Sequence, residues 1–261
     1  MDGKIYFAAD FHLGLDGPDF TSRQREIIIC NWLSEISKDA REIFLLGDLF
    51  DFWFEYNKVV PKGHTRFLGK LAELSDAGIP ITIFTGNHDL WMFGYFEEEL
   101  GIPVKKKPIF RSWNNKKFLL GHGDGLGPGD YSYKRLKKIF TNPLCQWMFA
   151  RIHPNFGIRM ANFWSAQSRK KSERPEFLGK EKEWLIHYCE NQLKEKPKMD
   201  YFIFGHRHLP IKQLLSNGKS YYFNTGEWIG QFSYLEFDGQ AVRLKFYKPT
   251  SEQPPTSPTN K

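Results

Sequence analysis

Five short polar motifs are spaced along the chain, and each follows a run that predicts a buried strand. Their side chains are carboxylates, imidazoles and an amide, without a thiolate. This combination suits intermediate divalent ions such as manganese, iron or zinc, and it disfavours an all-oxygen calcium or magnesium site. The motifs are Asp10-Phe11-His12, Gly47-Asp48-Leu49-Phe50-Asp51, Gly86-Asn87-His88-Asp89, Gly121-His122-Gly123-Asp124 and Gly205-His206-Arg207-His208.

The candidate metal ligands are too numerous for one tetrahedral ion. They fit two ions about 3.5–4 Å apart that share a carboxylate. The i, i+2 spacing in Asp10/His12 and in His206/His208 keeps both side chains on one side of an extended segment, so each pair can reach one ion. The seven candidates are Asp10, His12, Asp48, Asn87, His122, His206 and His208.

Alternating strands and helices must bring these motifs together. Because the carboxyl ends of the strands meet at one edge of an open α/β sheet, we expect the motifs to converge there. Glycine precedes four of the motifs and allows a sharp exit from the strand. The predicted elements are strands at Ile5–Ala9, Ile43–Leu46 and Ile81–Phe84, with helices at about Thr21–Ile36 and Phe67–Leu74.

After Gly101 the pattern changes to hairpins, each with a turn dipeptide between two β-rich runs. The predicted fold class is therefore α/β, with a mostly parallel first half and more antiparallel pairing in the second. The predicted hairpins pair Ile109–Trp113 with Lys117–Leu120, Ile211–Leu215 with Tyr221–Phe223, and Tyr234–Phe237 with Val242–Phe246.

Residues 131–174 form a segment of a different kind, with helical spacing and many large apolar residues but no strand pattern. We predict that this segment is a helical lid inserted into a core formed by residues 1–130 and 175–248. Residues 249–261 are rich in Pro, Ser and Thr and contain no apolar anchor, which predicts a disordered tail.

The net charge of +7 is concentrated in the lid. Residues 131–172 contain nine Lys and Arg and no acid, while the rest of the chain has 28 basic residues against 30 acidic ones. Large apolar residues are interleaved with these cations, which favours a phosphorylated lipid on an anionic membrane face over nucleic acid. Trp147 and Phe149 are expected to line the groove for its acyl chains.

The three cysteines are odd in number and widely spaced, so they predict neither a disulfide framework nor a zinc knuckle. A reducing cytoplasm is the expected location. The N-terminus lacks the pattern of a signal peptide, and no run approaches the roughly 18 apolar residues of a membrane span. We therefore expect any membrane contact to be peripheral.

The order DxH, GDxxD, GNH, a later histidine and GHxH resembles the calcineurin-like metallophosphoesterases, from Asp10 to His208. The resemblance implies a two-sheet αββα sandwich with the inserted helical lid and a di-metal centre. Manganese is the first expectation for both ions, with iron or zinc as alternatives. The resemblance implies Asp10, His12, Asp48 and His208 at one ion, and Asp48 as a bridge with Asn87, His122 and His206 at the other.

His88 is the predicted catalytic imidazole. Asn87 beside it is a candidate ligand, and an imidazole that titrates near neutrality suits protonation of a leaving oxygen or stabilisation of equatorial charge. Asp89 is predicted to steer it. For Asp51 and Asp124, orientation of a histidine and a simple turn role remain open. The glycines from Gly123 to Gly129 are predicted to form a loop into the lid rather than a phosphate cradle.

One branch of this superfamily, the UDP-2,3-diacylglucosamine hydrolases of lipid A biosynthesis, resembles the chain further. Its members carry a helical lid after GHGD and cleave a pyrophosphate to UMP and 2,3-diacylglucosamine 1-phosphate. The resemblance implies a UDP-linked acylated glucosamine substrate and a location on the cytoplasmic face of the inner membrane. Better-known members have Arg where this chain has His88. The implied substrate-binding residues are Asn87, Asp130, Tyr133, Ser165, Arg169, Lys171 and His206.

Two alternative functions remain open. One is a general metallophosphoesterase acting on nucleotides, phosphoproteins or cyclic nucleotides, and the other is a non-enzymatic scaffold of the same fold. A nuclease ranks lower because it has little use for Trp147, Met148 and Phe149 in a lid.

Overall fold

The structure, a computed structural model, describes residues 3–129, 131–171, 176–177 and 179–249. The side chains of residues 132, 162 and 165–171 are outside this description. The predicted tail therefore lies outside the described residues apart from Pro249, and so does Asp130.

The first sheet has six strands, of which four are parallel neighbours. The parallel strands are β1 (Lys4–Ala8), β2 (Ala40–Leu45), β3 (Ile81–Phe84) and β4 (Val104–Lys105), and the antiparallel strands at the other edge are β10 (Ser233–Phe237) and β11 (Val242–Phe246). The strand order is β11-β10-β1-β2-β3-β4.

The second sheet has five strands in the order β5-β6-β7-β9-β8. Its central strands β6, β7 and β9 are parallel, and each edge strand closes an antiparallel hairpin. The strands are β5 (Ile109–Trp113), β6 (Lys116–Leu120), β7 (Tyr201–Phe204), β8 (Pro210–Leu214) and β9 (Tyr221–Thr225). The three predicted hairpins are confirmed, with strand ends that differ by one or two residues.

The two sheets pack face to face over an apolar layer. The Phe7 and Phe44 rings of the first sheet stack 5.5 Å apart, and Phe7 also contacts Trp113 and Phe118 of the second sheet. Truncating one such fully buried ring to alanine costs about 3–5 kcal/mol of folding stability. Aromatic packing between the sheets is therefore a major source of the rigidity that positions their strand ends.

Helices cover the outer faces of both sheets, so the predicted αββα sandwich is confirmed. The first sheet is covered by α1 (Ser22–Ile36), α2 (Thr65–Asp76) and α3 (Tyr95–Leu100), and the second by α7 (Trp184–Glu195). The start of α1 is fixed by a capping box, in which Thr21 accepts from the Gln24 amide and Gln24 accepts from the Thr21 amide.

The segment predicted as a lid is helical over its described part. Its helices are α4 (Tyr131–Phe140), α5 (Pro143–Phe149) and α6 (Pro154–Lys171). Asn142 caps α5 by accepting from the Leu144 amide at 2.9 Å. Phe149 anchors α5 to the core, where its ring packs 4.7 Å from Phe54 and 4.9 Å from Trp91. Within the described residues, no helix has the length and apolarity that crossing a bilayer requires.

Candidate metal centre

The five motifs meet at one edge of the sandwich, directly after β1, β2, β3, β6 and β7. Backbone hydrogen bonds join the loops to one another. The Asp10 amide donates to the Gly47 carbonyl and the His12 amide to the Asp48 carbonyl, each at 3.0 Å, and the Gly205 amide donates to the His122 carbonyl at 2.9 Å. Side-chain bonds from the Leu49 amide to Asp89 and from the His206 amide to Asp10 link the remaining loops, so the five form one connected platform.

Five candidate ligands have strained backbones. Among the described non-glycine residues eight have positive φ, and five of these are Asp10, His12, Asp48, His206 and His208, with φ between 44° and 70°. Such a conformation costs about 1–3 kcal/mol per residue and persists only where the surroundings enforce it. The concentration of this strain at one edge marks it as a functional site.

Four candidate ligands form a first cluster on the β1 side. His12 Nε2 lies 3.9 Å from Asp10 Oδ1, 3.8 Å from Asp48 Oδ2 and 3.1 Å from His208 Nε2. His208 Nε2 lies 3.4 Å from Asp10 Oδ1. One donor atom from each of these residues lies within 4.8 Å of the others, which is a spacing that one ion can bridge.

A second cluster shares Asp48 with the first. Asp48, His122 and His206 offer donor atoms within 4.8 Å of one another. His122 Nε2 lies 3.3 Å from both Asp48 Oδ2 and Asn87 Oδ1. The structure thus brings all seven predicted ligands together, with Asp48 in the position of a shared carboxylate.

The donor set fits divalent cations. Asp10 and Asp48 are 0% and 1% exposed, and in the described residues their ion-pair neighbours are imidazole nitrogens rather than lysine or arginine. Asp10 Oδ1 and His12 Nδ1 are buried without a hydrogen-bond partner among the described residues. Buried charge without compensation costs several kcal/mol. Two divalent ions bound by these oxygen and nitrogen donors would supply the compensation.

The electrostatics favour positive charge at this position. Burial opposes ionisation of Asp48, but His122 and His88 outweigh it and hold the pKa of Asp48 well below its usual range. Burial would lower the pKa of His122, yet the facing Asp48 carboxylate raises it to about 10. Burial and His122 together lower the pKa of His206 to about 4. The carboxylates therefore stay ionised, as metal ligands must.

Two motif glycines are required by crowding beside the carboxylates. A Cβ on Gly86 would lie 2.1 Å from Asp48 Oδ1, and a Cβ on Gly205 would lie 2.8 Å from Asp10 Oδ2. Both oxygens accept backbone hydrogen bonds, from His88 at 2.8 Å and from His206 at 2.9 Å. The sequence predicts that these glycines allow a sharp exit from the strand. In the structure they also leave room for a neighbouring carboxylate.

The contacts of His88 are different from those that the sequence predicts. Its Nδ1 donates to the Asp51 carbonyl at 3.0 Å and lies 3.7 Å from Asp51 Oδ1. The Asp89 carboxylate instead accepts from the amides of Gly86 at 2.6 Å and Leu49 at 2.8 Å, and burial raises its pKa to about 7. Asp51 therefore occupies the steering position that the sequence assigned to Asp89. Asp51 Oδ1 also lies 3.6 Å from His12 Nδ1.

Asp124 links the platform to the lid. Its carboxylate accepts from the Tyr133 hydroxyl and from Lys137 Nζ at 2.5 Å, and both partners belong to α4. Burial opposes ionisation of Asp124, but His122 and Lys137 outweigh it and lower the pKa of this carboxyl. The Tyr133 ring centroid lies 6.4 Å from that of His206, so Tyr133 borders the site. The side chains of Ser165, Arg169 and Lys171 are outside the described part, as is Asp130.

Arg25 is a further residue of the site that the sequence did not indicate, and its side chain is fully buried beside the first motif. Its guanidinium donates to the carbonyls of Phe11 at 2.5 Å and His12 at 3.0 Å, and also to Leu15 and Trp228. The available signal was its position on the apolar stripe of α1, three, four and seven residues before Ile28, Ile29 and Trp32.

An apolar cavity of about 540 Å³ extends from the candidate metal centre to the lid. Asp51, Asn87 and His88 form its polar end. Its other walls are Phe52, Leu90, Trp91, Leu136, Ile139, Phe140, Ala161 and Trp164. The expectation that Trp147 and Phe149 line the groove is wrong: Phe149 is packed in the core, and Trp147 is 55% exposed with Arg151 4.4 Å from its ring centroid.

Comparison with known proteins places the chain among phosphoesterases. Residues 3–210 match the family described as calcineurin-like phosphoesterase. The UDP-2,3-diacylglucosamine hydrolase of Porphyromonas gingivalis is 38% identical over 94% of this chain and 98% of its own, and that of Serratia proteamaculans is 26% identical over 91% and 96%. The Escherichia coli phosphoesterase Yfce aligns over 92% of this chain and 90% of its own, at 15% identity and a TM-score of 0.45.

Proposed function

The chain belongs to the calcineurin-like phosphoesterase family, and we propose that it hydrolyses the pyrophosphate of UDP-2,3-diacylglucosamine to UMP and 2,3-diacylglucosamine 1-phosphate. The observation that carries this proposal is the continuity of the apolar cavity with Asn87 and His88. A lipid with a phosphorylated head group needs an apolar chamber that opens onto the reacting centre. A general phosphoesterase acting on soluble nucleotides has no use for such a chamber.

The seven clustered residues would hold two divalent ions, with Asp48 between them. Manganese is the ion that we propose, with iron and zinc as alternatives, because the donors are carboxylate, imidazole and amide. When bound, the two ions supply Lewis acidity toward the phosphoryl oxygens and lower the pKa of the attacking water. The His206 amide donates a hydrogen bond of 2.9 Å to Asp10 Oδ2. This bond links a residue of the first cluster to a residue of the second.

His88 supplies the proton in this proposal. Its Nδ1 donates to the Asp51 carbonyl, which fixes the ring at the polar end of the cavity, where the imidazolium form would transfer a proton to the leaving oxygen. Its backbone amide donates to Asp48 Oδ1, which ties the His88 backbone to the shared carboxylate. Asp89 acts indirectly by fixing the amides of Gly86 and Leu49.

The lid contributes substrate contacts. Tyr133, together with Asp130, Asn87 and His206, is proposed to hold the glucosamine phosphate, because Tyr133 already borders His206. The lid candidates Ser165, Arg169 and Lys171 follow from the resemblance of the sequence alone. The division into core and lid is part of the same proposal, in which Asp124 and Phe149 attach the lid to the core.

The exposed apolar and basic residues of the lid suit peripheral contact with an anionic membrane. Of the eight large hydrophobic residues that are at least half exposed in the described part of the chain, seven lie in α4 to α6. The same segment carries the cations Lys134, Arg135 and Lys138 in α4 and Arg151 just after α5. Exposed apolar groups beside cations bind the interface of anionic lipid. We place the enzyme on the cytoplasmic face of the inner membrane. The seven residues are Tyr131, Ile139, Leu144, Trp147, Met148, Phe156 and Phe163.

The test is manganese-dependent UMP release from UDP-2,3-diacylglucosamine, measured beside hydrolysis of bis(p-nitrophenyl) phosphate. The proposal expects UMP and the acylated sugar phosphate in equal amounts. An Asp48→Ala variant should lose both activities, because it removes the shared carboxylate. Hydrolysis of the aryl ester without UMP release would instead support the general phosphoesterase.

A further inference from the structure

A second cavity adjoins the apolar one near the candidate metal centre. It has a volume of about 570 Å³ and lies between the N-terminal ends of α1 and α2. Asp51 and Phe52 line both cavities. Because Asp51 Oδ1 is 3.6 Å from His12 and 3.7 Å from His88, the metal-binding cluster lies where the two cavities meet. A ligand bound at that junction can extend into both.

The second cavity is rich in hydrogen-bond donors. Arg23, Lys62 and Arg66 are exposed at its wall, and none of them takes part in an ion pair among the described residues. His64 also lines it, 6% exposed, with its Nδ1 lacking a hydrogen-bond partner in the described part of the chain. The four side chains thus offer unused polar atoms to one space.

The acidic groups of this cavity are already engaged, so they leave its cations available. Asp16 Oδ1 accepts from the Ser22 amide at 2.7 Å. Glu26 Oε1 accepts from the amides of Arg66 at 2.9 Å and Phe67 at 3.1 Å, at the start of α2. The cavity therefore presents cationic donors to a ligand, while Asp16 and Glu26 accept from backbone amides and Asp51 faces the two imidazoles.

From this juxtaposition we infer that the cavity between α1 and α2 binds the uridine nucleotide half of the substrate. The inference rests on the function proposed above. A substrate with an acylated sugar on one side of its pyrophosphate and a nucleoside on the other needs two chambers of opposite polarity that meet at the metal ions. Uracil presents two carbonyl acceptors and the ribose presents hydroxyls, which complement arginine, lysine and imidazole donors.

Direct binding of UMP to the manganese-loaded protein, measured by titration calorimetry, tests this inference. The double variant Arg23→Ala/Arg66→Ala should weaken UMP binding about tenfold or more, because it removes two charged donors. Orthophosphate, which reaches only the metal ions, should bind equally well to wild type and variant. A charge-matched control, Lys219→Ala/Lys248→Ala, removes two exposed cations elsewhere and should leave UMP binding unchanged.

The discrimination of UMP from CMP gives a second readout. CMP replaces the O4 acceptor of uracil with an amino donor, so wild type should prefer UMP and Lys62→Ala or the double variant should lose that preference. An unchanged UMP affinity in the double variant, or an equal loss for UMP and orthophosphate, would overturn the inference. Failure of the proposed function itself is separate, since it would appear as absent UMP release by the wild-type protein.

Discussion

Arg25 donates a hydrogen bond of 3.0 Å from its guanidinium to the carbonyl oxygen of His12, a candidate metal ligand whose φ is +44°. The same guanidinium reaches Phe11 and Leu15 on either side of His12. The buried guanidinium of Arg25 thus donates to backbone carbonyls rather than to a carboxylate. These contacts explain how the loop after β1 keeps Asp10 and His12, which are two positions apart, in the left-handed region.

We expect Arg25→Met to weaken manganese binding by tenfold or more and to lower the free energy of unfolding by about 3–5 kcal/mol, because buried carbonyls lose their donor. Manganese titration by electron paramagnetic resonance and urea denaturation measure the two effects. The control Lys38→Met removes an exposed cation just beyond α1 and should change neither. Wild-type metal affinity in Arg25→Met would show that the loop holds its conformation without the guanidinium.

The assignment of the two ion sites predicts metal stoichiometry. Wild type should bind two manganese ions per chain, and Asp10→Ala should bind one tightly, since Asp10 lies in only one cluster. Asp48→Ala should weaken both ions because Asp48 lies in both clusters. Elemental analysis after gel filtration gives the counts, with exposed Asp19→Ala as the control. Equal stoichiometry in Asp10→Ala and wild type would exclude Asp10 as a ligand.

Loss of the His88 imidazole should lower kcat by about 10²–10⁴ while the protein still binds two ions, because general acid catalysis contributes on that scale. The variants are His88→Ala and His88→Gln, the second of which keeps a polar side chain. Steady-state UMP release and metal analysis are measured on the same preparations. Full activity in His88→Ala with both ions bound would remove His88 from the mechanism.

The walls of the apolar cavity predict a selective effect on acylated substrate. Ile139→Ser should raise KM for UDP-2,3-diacylglucosamine about tenfold, since covering an exposed aliphatic side chain with an acyl chain contributes up to about 1.5–3 kcal/mol. It should leave bis(p-nitrophenyl) phosphate hydrolysis unchanged. Trp147→Ser, outside the cavity wall, should keep KM in detergent but weaken binding to anionic vesicles. Equal effects of Ile139→Ser on both substrates would mean that the residue only stabilises the lid.

The α/β class, the hairpins and the convergence of the motifs follow from local signals, whereas the two-sheet sandwich was implied by the resemblance to a known family. Strand patterns, turn dipeptides and polar residues after strands are visible along the chain, and Ile81–Phe84 was predicted to the residue. Features that depend on distant contacts were missed. Asp51 lies beside His88 in place of Asp89 through a contact between the loops after β2 and β3, which are distant in sequence. A large apolar residue in the lid, such as Phe149, can line a groove or pack in the core. Only its contacts with Phe54 and Trp91 show that it packs in the core.

Comparison of UDP-2,3-diacylglucosamine with UDP-N-acetylglucosamine by phosphorus NMR tests most directly whether the metal centre and the apolar cavity act as one site. Both substrates carry the same pyrophosphate, and they differ in the acyl chains that only the cavity can receive. We predict a kcat/KM at least about 10² higher for the acylated substrate, with UMP and the acylated sugar phosphate as the two products. Equal kcat/KM values for both substrates would contradict the account.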